Sequence, residues 1–299
     1  MDYEALRWSV GIIFALSAGL CLLLNSLVLL AFIVDPLKKL RRLFNSLLIH
    51  LCLCDLLAGL ACFPITAYGS FALDDERLLF SMRRANYATL PLINGGFYTT
   101  MMLSYDRYKA VTEPIKYRQN ADAKRLTCYL GVIWIVSAVL SGIFFSFKTI
   151  TDSITMNFVL CVPVTITLIF FFVHIRSALS REQRSDSINS TSSTEELLLT
   201  EDGNENVILR RSTKEKRALK TCKLILWLQI LTIICVIATD IYIVAADHQE
   251  TIRGQLVLAF VFRLPLIVNT LGNPLICIFR MTEFKKSIQA LFTSRMTFA

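Results

Sequence analysis

Asp106 and Arg107 stand side by side at the end of a long apolar run, in Ser104-Tyr105-Asp106-Arg107-Tyr108. An acid beside a base at a water boundary can form an ion pair that closes or opens with its surroundings, whereas the bland alternative is two boundary charges reaching for solvent. The position favours a working pair. Residues 85–103 carry no charged side chain, and the chain turns basic and turn-forming at once afterwards, with Lys109, Pro114, Lys116, Tyr117 and Arg118. A second candidate is Asp55, set among leucines, where an ionised carboxylate is expensive and normally faces polar partners. A third is the opposite charges of Asp240 and Arg263, each lying about 10 Å below an outer loop by helical rise. Two readings stand for them: an internal salt bridge, or direct contact with a ligand. Asp55 is likewise open between a protonated, hydrogen-bonded acid and a charged one.

The elements that must hold these groups are membrane helices. The chain has 299 residues, 55% hydrophobic and 18% charged, with 20 Phe, and its mean hydropathy is +0.56. That is too apolar for one water-soluble core. Spanning a bilayer takes about 20 apolar residues per helix, and seven stretches qualify: 9–34, 43–68, 85–108, 126–147, 154–176, 221–246 and 255–279. The expected fold is therefore all-α, a seven-transmembrane helix bundle over 1–292, with a short amphipathic surface helix at 281–292 and a short cytoplasmic tail at 293–299. The first stretch lacks a basic leader and is too long for a signal peptide, so it is expected to be an uncleaved span.

The net charge of +8 is distributed by loop rather than by patch. Lys38, Lys39, Arg41 and Arg42 fill the first loop, Lys109 to Arg125 the third, and Arg210 to Lys223 the end of the fifth, alternating with loops of mixed sign. The positive-inside rule then places the amino terminus outside and the carboxyl terminus in the cytoplasm, and it argues against nucleic acid as the partner of this charge. Residues 177–220 are polar, with Ser185 to Thr194 rich in hydroxyls. They are expected to be a flexible cytoplasmic loop, read either as a phosphorylation tract or as a plain linker. The nine cysteines lie in or beside apolar runs, so no outer disulfide is expected and none is read as a zinc ligand.

Helical periodicity assigns faces. Asn45, Cys52, Asp55, Gly59, Cys62 and Thr66 form one small and polar stripe, with Pro64 expected to kink the outer end. Counting back from Arg107, the inward face of the third span is Leu103, Thr100, Gly96, Ile93, Thr89 and Asn86. Gln229, Ile233, Val236 and Asp240 share a face of the sixth span, and Arg263, Thr270 and Asn273 share one of the seventh. Pro274 frees a backbone carbonyl for a neighbouring polar group. The fourth span, with Trp134, reads as a packing helix, and His174 as an interface residue.

These residues resemble the rhodopsin-like (class A) family of G-protein-coupled receptors. Asn25, Asp55, Asp106-Arg107-Tyr108, Trp134, Pro163 and Asn273-Pro274-Leu275-Ile276-Cys277 each fall in the span where that family carries its motif. The sixth span lacks the family's Cys-Trp-X-Pro hinge, Cys277 replaces its usual tyrosine, and the usual outer-loop cysteine pair is missing. The resemblance implies a plasma-membrane receptor, not an enzyme. It would pass the signal of an extracellular small-molecule, lipid or peptide ligand to a heterotrimeric G protein, with Asp106, Arg107, Tyr108, Asn273 and Pro274 as the coupling and activation switch. It also implies a polar centre of Asn25, Asp55, Asn269 and Asn273, able to take a sodium ion as modulator, although Gly96 replaces the family's serine there. Asn86, Thr89, Ile93, Asp240 and Arg263 are the expected ligand-pocket residues. Thr89 stands where amine receptors carry an aspartate. Arrestin and receptor kinases would act on the hydroxyl-rich loop, and membrane lipids surround the bundle. The rival expectations are a receptor-like protein that does not signal and a seven-helix transporter or channel, which would need a continuous polar path.

Overall fold

The computed structural model describes residues 3–38, 40, 43–71, 89–113, 116–117, 123–146, 162–177, 180–181, 220–221, 223–235, 237–238 and 252–296, with the backbone alone at 3, 6, 111, 123–125, 144–146, 252–263 and 294–296. The fold is an all-helical membrane bundle. Its principal helices are α1 (Tyr3–Val34), α2 (Leu43–Phe71), α3 (Leu90–Thr112), α4 (Ala123–Ser146), α5 (Val162–Ser177), α6 (Lys223–Cys235), α7 (Ile252–Arg280) and α8 (Thr282–Met296). Among the described residues, three helical segments are individually long and apolar enough to cross a bilayer, namely Arg7–Val34, Leu43–Phe71 and Leu126–Ile143. Leu264–Arg280 and Thr282–Thr293 make a further pair bent by 83°. That bend turns α8 off the axis of α7, as the expected surface helix requires. Phe284 and Ile288 of α8 are buried, and Phe292 is exposed.

The ends of the helices follow from local chemistry. α1 begins six residues before the expected Ser9, carrying Glu4 in its first turn where an acid favours the helix dipole. Arg7 then reaches across to donate to the carbonyl of Phe71, one of the unpaired acceptors at the end of α2. At its inner end α1 stops at Asp35, whose φ of 37° no further helical turn can use. The Asp35 carboxylate accepts from the amide of Leu40 at 3.3 Å, tying the short inner loop to itself. α3 starts with Thr89 as its cap and Pro91 in its first turn.

Two apolar clusters divide the bundle by depth. The outer one joins Val10, Phe14 and Cys21 of α1, Cys62, Phe63 and Ala67 of α2, and Ile267 of α7. The inner one joins Val28, Phe44 to Cys52, Leu103, Ile276 and Cys277 with α5, α6 and Phe284 of α8. Between them, on α1, α2 and α7 alike, lie the buried polar residues Asn25, Asp55, Asn269, Thr270 and Asn273. The outward surface is the reverse of a soluble protein's. Leu16, Leu23, Ile33, Ile135 and Ile166 are exposed, which suits hydrocarbon rather than water.

The polar stripe read on α2 faces inward along its whole length: Asn45, Cys52, Asp55, Gly59, Cys62 and Thr66 are all buried. Leu53, Leu57 and Leu60 point outward. Pro64 lies within a single continuous helix.

Candidate functional site

At the inner end of α3 the Asp106 carboxylate is 2% exposed and holds three hydrogen bonds from two residues. Arg107 Nη2 donates to its Oδ2 at 2.6 Å and Arg107 Nε to the same oxygen at 3.2 Å, two charge-assisted bonds that converge on one acceptor. Tyr117 Oη donates to the same carboxylate, at 2.9 Å from Oδ1. The Tyr117 oxygen in turn accepts from Arg107 Nη2 at 2.9 Å, so acid, base and phenol close a triangle. The guanidinium also lies over the Phe44 ring of α2, 4.1 Å from its centroid. Tyr117 reaches this place by a short return of the chain: Glu113 N donates to Lys109 O at 3.0 Å, and Tyr117 N to Glu113 O at 2.9 Å. Lys109 Nζ bonds Glu113 Oε1 at 2.6 Å, and that acceptor holds the ammonium's pKa above its ordinary value. Tyr108 points the other way, its ring 5.8 Å from Phe171 and 5.9 Å from His174 of α5.

About ten residues deeper in the bundle lies the polar centre. Asn273 Nδ2 donates to Asp55 Oδ2 at 2.6 Å, joining α7 to α2. Because Pro274 has no N–H and displaces the bond its helix would otherwise make, the carbonyl four residues back, Thr270 O, needs another donor. Asn25 Nδ2 supplies it at 3.3 Å, bringing α1 to α7. Cys21 Sγ donates to the Asp55 carbonyl at 3.4 Å. The side-chain oxygens of Asn25, Asn269, Thr270 and Asn273 are buried without a protein partner. The space beside Asp55 opens at Gly96, where an added Cβ would stand 3.9 Å from Asp55 Oδ1 and 3.7 Å from Leu51 Cδ1.

The expected pocket residues are less gathered. Thr89 is buried with its hydroxyl 2.8 Å from Cys62 Sγ on α2, and Ile93 packs on the outer apolar cluster. Arg263 lies within α7, where the side chain is not described, and Asn86 and Asp240 lie outside the described residues.

One cluster escaped the reading of the sequence. His50 of α2 accepts from Trp134 Nε1 of α4 at 3.0 Å through its Nε2, and its Nδ1 is 2.9 Å from Thr99 Oγ1 of α3. Since Thr99 gives its own proton to Gly95 O at 2.6 Å, the ring is neutral, with the proton on Nδ1. Trp134 is thus a tie among three helices rather than a packing residue alone. The signal was one histidine on the same apolar helix as Asp55, five residues before it.

Residues 24–155 match the family of 7 transmembrane receptors (rhodopsin family). Similar proteins include the muscarinic acetylcholine receptor M5 of Mus musculus, 29% identical over 149 residues, which are 47% of this chain and 27% of that receptor. The histamine H2 receptor of Canis lupus familiaris is 29% identical over 144 residues, 47% of this chain and 39% of that receptor. The muscarinic acetylcholine receptor M1 of Sus scrofa is 30% identical over 118 residues, 39% of this chain and 25% of that receptor. The matches therefore span well under two thirds of these relatives' lengths. The matched stretch is under half of the chain; it carries Asn25, Asp55, the Asp106–Arg107 pair with Tyr117, and Trp134, and over it this multi-pass membrane protein is similar to the rhodopsin family of 7 transmembrane receptors.

Proposed function

We propose that the chain is a receptor that passes the signal of an extracellular ligand to a heterotrimeric G protein, through a switch closed by Arg107. The observation carrying this reading is the Asp106–Arg107–Tyr117 triangle at the inner mouth of α3. A guanidinium held by three groups is a latch, and it opens when another arrangement offers it better partners. Ligand bound in the outer half favours the arrangement in which α5 and α6 move outward and Arg107 leaves Asp106. It can do so only by its differential affinity for the two arrangements. Asn273 and Pro274 link that movement to the polar centre, because Asp55 and Asn25 grip α7 at Asn273 and Thr270, within the turn that leads into the proline.

The polar centre also has the donor set for a hard cation. Asp55 with the unpartnered oxygens of Asn25, Asn269 and Asn273 offers oxygen ligands of the kind sodium takes. Bound there, the ion would supply a positive charge beside Asp55 and favour the latched arrangement. Gly96 withholds the hydroxyl that a serine would add.

The relatives are named for acetylcholine and histamine, but the position at which amine receptors carry an aspartate is Thr89 here, engaged with Cys62. The ligand in this reading is therefore not an amine but a small molecule, lipid or peptide, with Arg263 as the candidate for an acidic group. Arrestin and receptor kinases would act at the hydroxyl-rich stretch within 177–220. The receptor sits in the plasma membrane with its amino terminus outside and its carboxyl terminus in the cytoplasm.

The test is guanine-nucleotide exchange on a panel of purified heterotrimeric G proteins, using membranes that carry the full chain. Asp106→Asn weakens the latch and is expected to raise ligand-independent exchange on at least one G protein, and Arg107→Ala to abolish it. Exchange equal to empty membranes for both the native chain and Asp106→Asn, at normal surface levels, removes the proposal.

A further inference from the structure

The seam between α5 and α6 carries aromatic and basic residues that the Arg107 latch does not use. Phe172 of α5 meets Trp227 of α6 edge to face, with ring centroids 5.3 Å apart. The Lys223 ammonium of α6 lies 5.6 Å from the centroid of the same Phe172 ring. Helical period extends the arrangement on both helices: Arg176 stands four residues after Phe172, and Lys220 three before Lys223, both exposed. Tyr108 lies against His174 of α5, so this end of the seam is level with Arg107 at the inner mouth. By helical rise the three cations fall about 6–10 Å nearer that mouth than the aromatic pair.

A lone lysine at a helix end is accounted for by its reach for water, and a lone tryptophan there by its preference for the membrane boundary. The charge balance of the seam is not. Among the described residues, neither α5 nor α6 has an acidic side chain, and Arg176, Lys220 and Lys223 form no ion pair. Like charges gathered at one end of one seam repel, and an anion between them removes that cost. Directly above the cations Trp227 is 53% exposed, and Leu231 and Ile234 continue its face as an exposed apolar stripe. The occupant that fits has an anionic head at the water boundary and a hydrocarbon tail inside the bilayer. A soluble protein cannot cover the stripe, which lies in hydrocarbon, and a sterol brings no charge for the cations.

We infer that the inner end of the seam between α5 and α6 is a binding site for an anionic glycerophospholipid. Its phosphate takes Arg176 from α5 with Lys220 and Lys223 from α6, while an acyl chain lies along Trp227, Leu231 and Ile234. Each basic residue beside an anionic headgroup is worth about fivefold in affinity. Held from both helices, the headgroup ties the ends of α5 and α6 to each other. The site goes beyond the coupling proposed above, and its readouts need no G protein.

The experiment places the full chain in phosphatidylcholine nanodiscs doped with phosphatidylserine or with further phosphatidylcholine, the dopant brominated on its acyl chains so that it quenches any tryptophan it touches. Subtracting the emission of the Trp227→Phe chain isolates Trp227 from Trp8 and Trp134. Brominated phosphatidylserine is expected to quench Trp227 at a share where brominated phosphatidylcholine does not. Arg176→Gln, Lys220→Gln and Lys223→Gln are each expected to raise the share needed about fivefold, and the triple variant to remove the preference. Lys285→Gln, at an exposed cation of α8, is expected to leave it unchanged. Equal quenching by the two lipids, or a preference that the triple variant keeps, overturns the site. Quenching by a brominated sterol in place of phosphatidylserine gives the groove to a neutral lipid and overturns it as well. A second measurement is mass spectrometry of the chain released intact from discs of mixed lipids. The native chain is expected to retain phosphatidylserine and the triple variant to lose it; loss from both alike overturns the site whatever the fluorescence gives. If the native chain and Asp106→Asn both fail to drive exchange while Trp227 keeps its preference, the coupling falls and the lipid site stands.

Discussion

Tyr117 gives the Asp106–Arg107 pair a third partner. Its phenol donates to Asp106 and accepts from Arg107, so removing one oxygen loosens both charges while leaving the ring in place. Tyr117→Phe is expected to raise ligand-independent nucleotide exchange by about fivefold, the effect of one net hydrogen bond. The same residue could not be found by spacing, because its return to Asp106 depends on the turn after Glu113 and not on helical period. Gly96 offers the complementary gain. A Cβ there meets its neighbours only at ordinary contact distance, so Gly96→Ser fits and sets a hydroxyl near Asp55. Sodium titrated against potassium is expected to suppress basal exchange at lower concentration in this variant than in the native chain. An unchanged titration would count against the cation site. Asp55 itself was legible, because a carboxylate among leucines has to find a partner, and Asn273 is that partner. His50 was not: its bonds to Trp134 and Thr99 join three helices, and no one-dimensional pattern contains that meeting.

At the scale of elements, α1 and α2 press together where both spare volume. Gly59 lies against Cys21, with no room for a Cβ between them, and Gly11 lies likewise against Phe71. Gly59→Leu is expected to cost about 1–3 kcal/mol through forced separation of the helices, seen as a lower melting temperature of the detergent-solubilised chain. Gly131 and Gly142 of α4 have open space around them, so Gly142→Leu serves as the control and leaves that temperature unchanged. The buried faces of α2 and α3 were readable from a period of 3.6, since a helix with one apolar-free stripe has few ways to bury it. Helix ends were read less well. The early start of α1 at Tyr3 depends on Glu4 and on Arg7 reaching Phe71, charged residues that by composition look like an outer tail.

For the molecule as a whole, the layering of outer core, polar centre and inner core is a consequence of the same spacing repeated on three helices. Asn25, Asp55 and Asn273 sit at matching depth because each helix places its apolar residues above and below them. The polar residues of α1, α2 and α7 could be read from the chain, whereas which polar group bonds which could not. The basic inner loops set the expected topology. A tag at residue 1 should be reached by antibody on intact cells, and one inserted within 185–194 only after permeabilisation; the reverse pattern would remove the Arg107 face from the cytoplasm and the coupling with it.

The tie from Asn25 to Thr270 crosses 245 positions, and that from Asp55 to Asn273 crosses 218. A ribosome releases the first two helices long before it has made the last. Until α7 emerges, an amide and an acid wait in the bilayer for groups not yet translated. Maturation of this protein is therefore expected to wait on α7, and a nonsense codon anywhere ahead of Asn269 should yield a product that leaves the endoplasmic reticulum for degradation rather than for the cell surface.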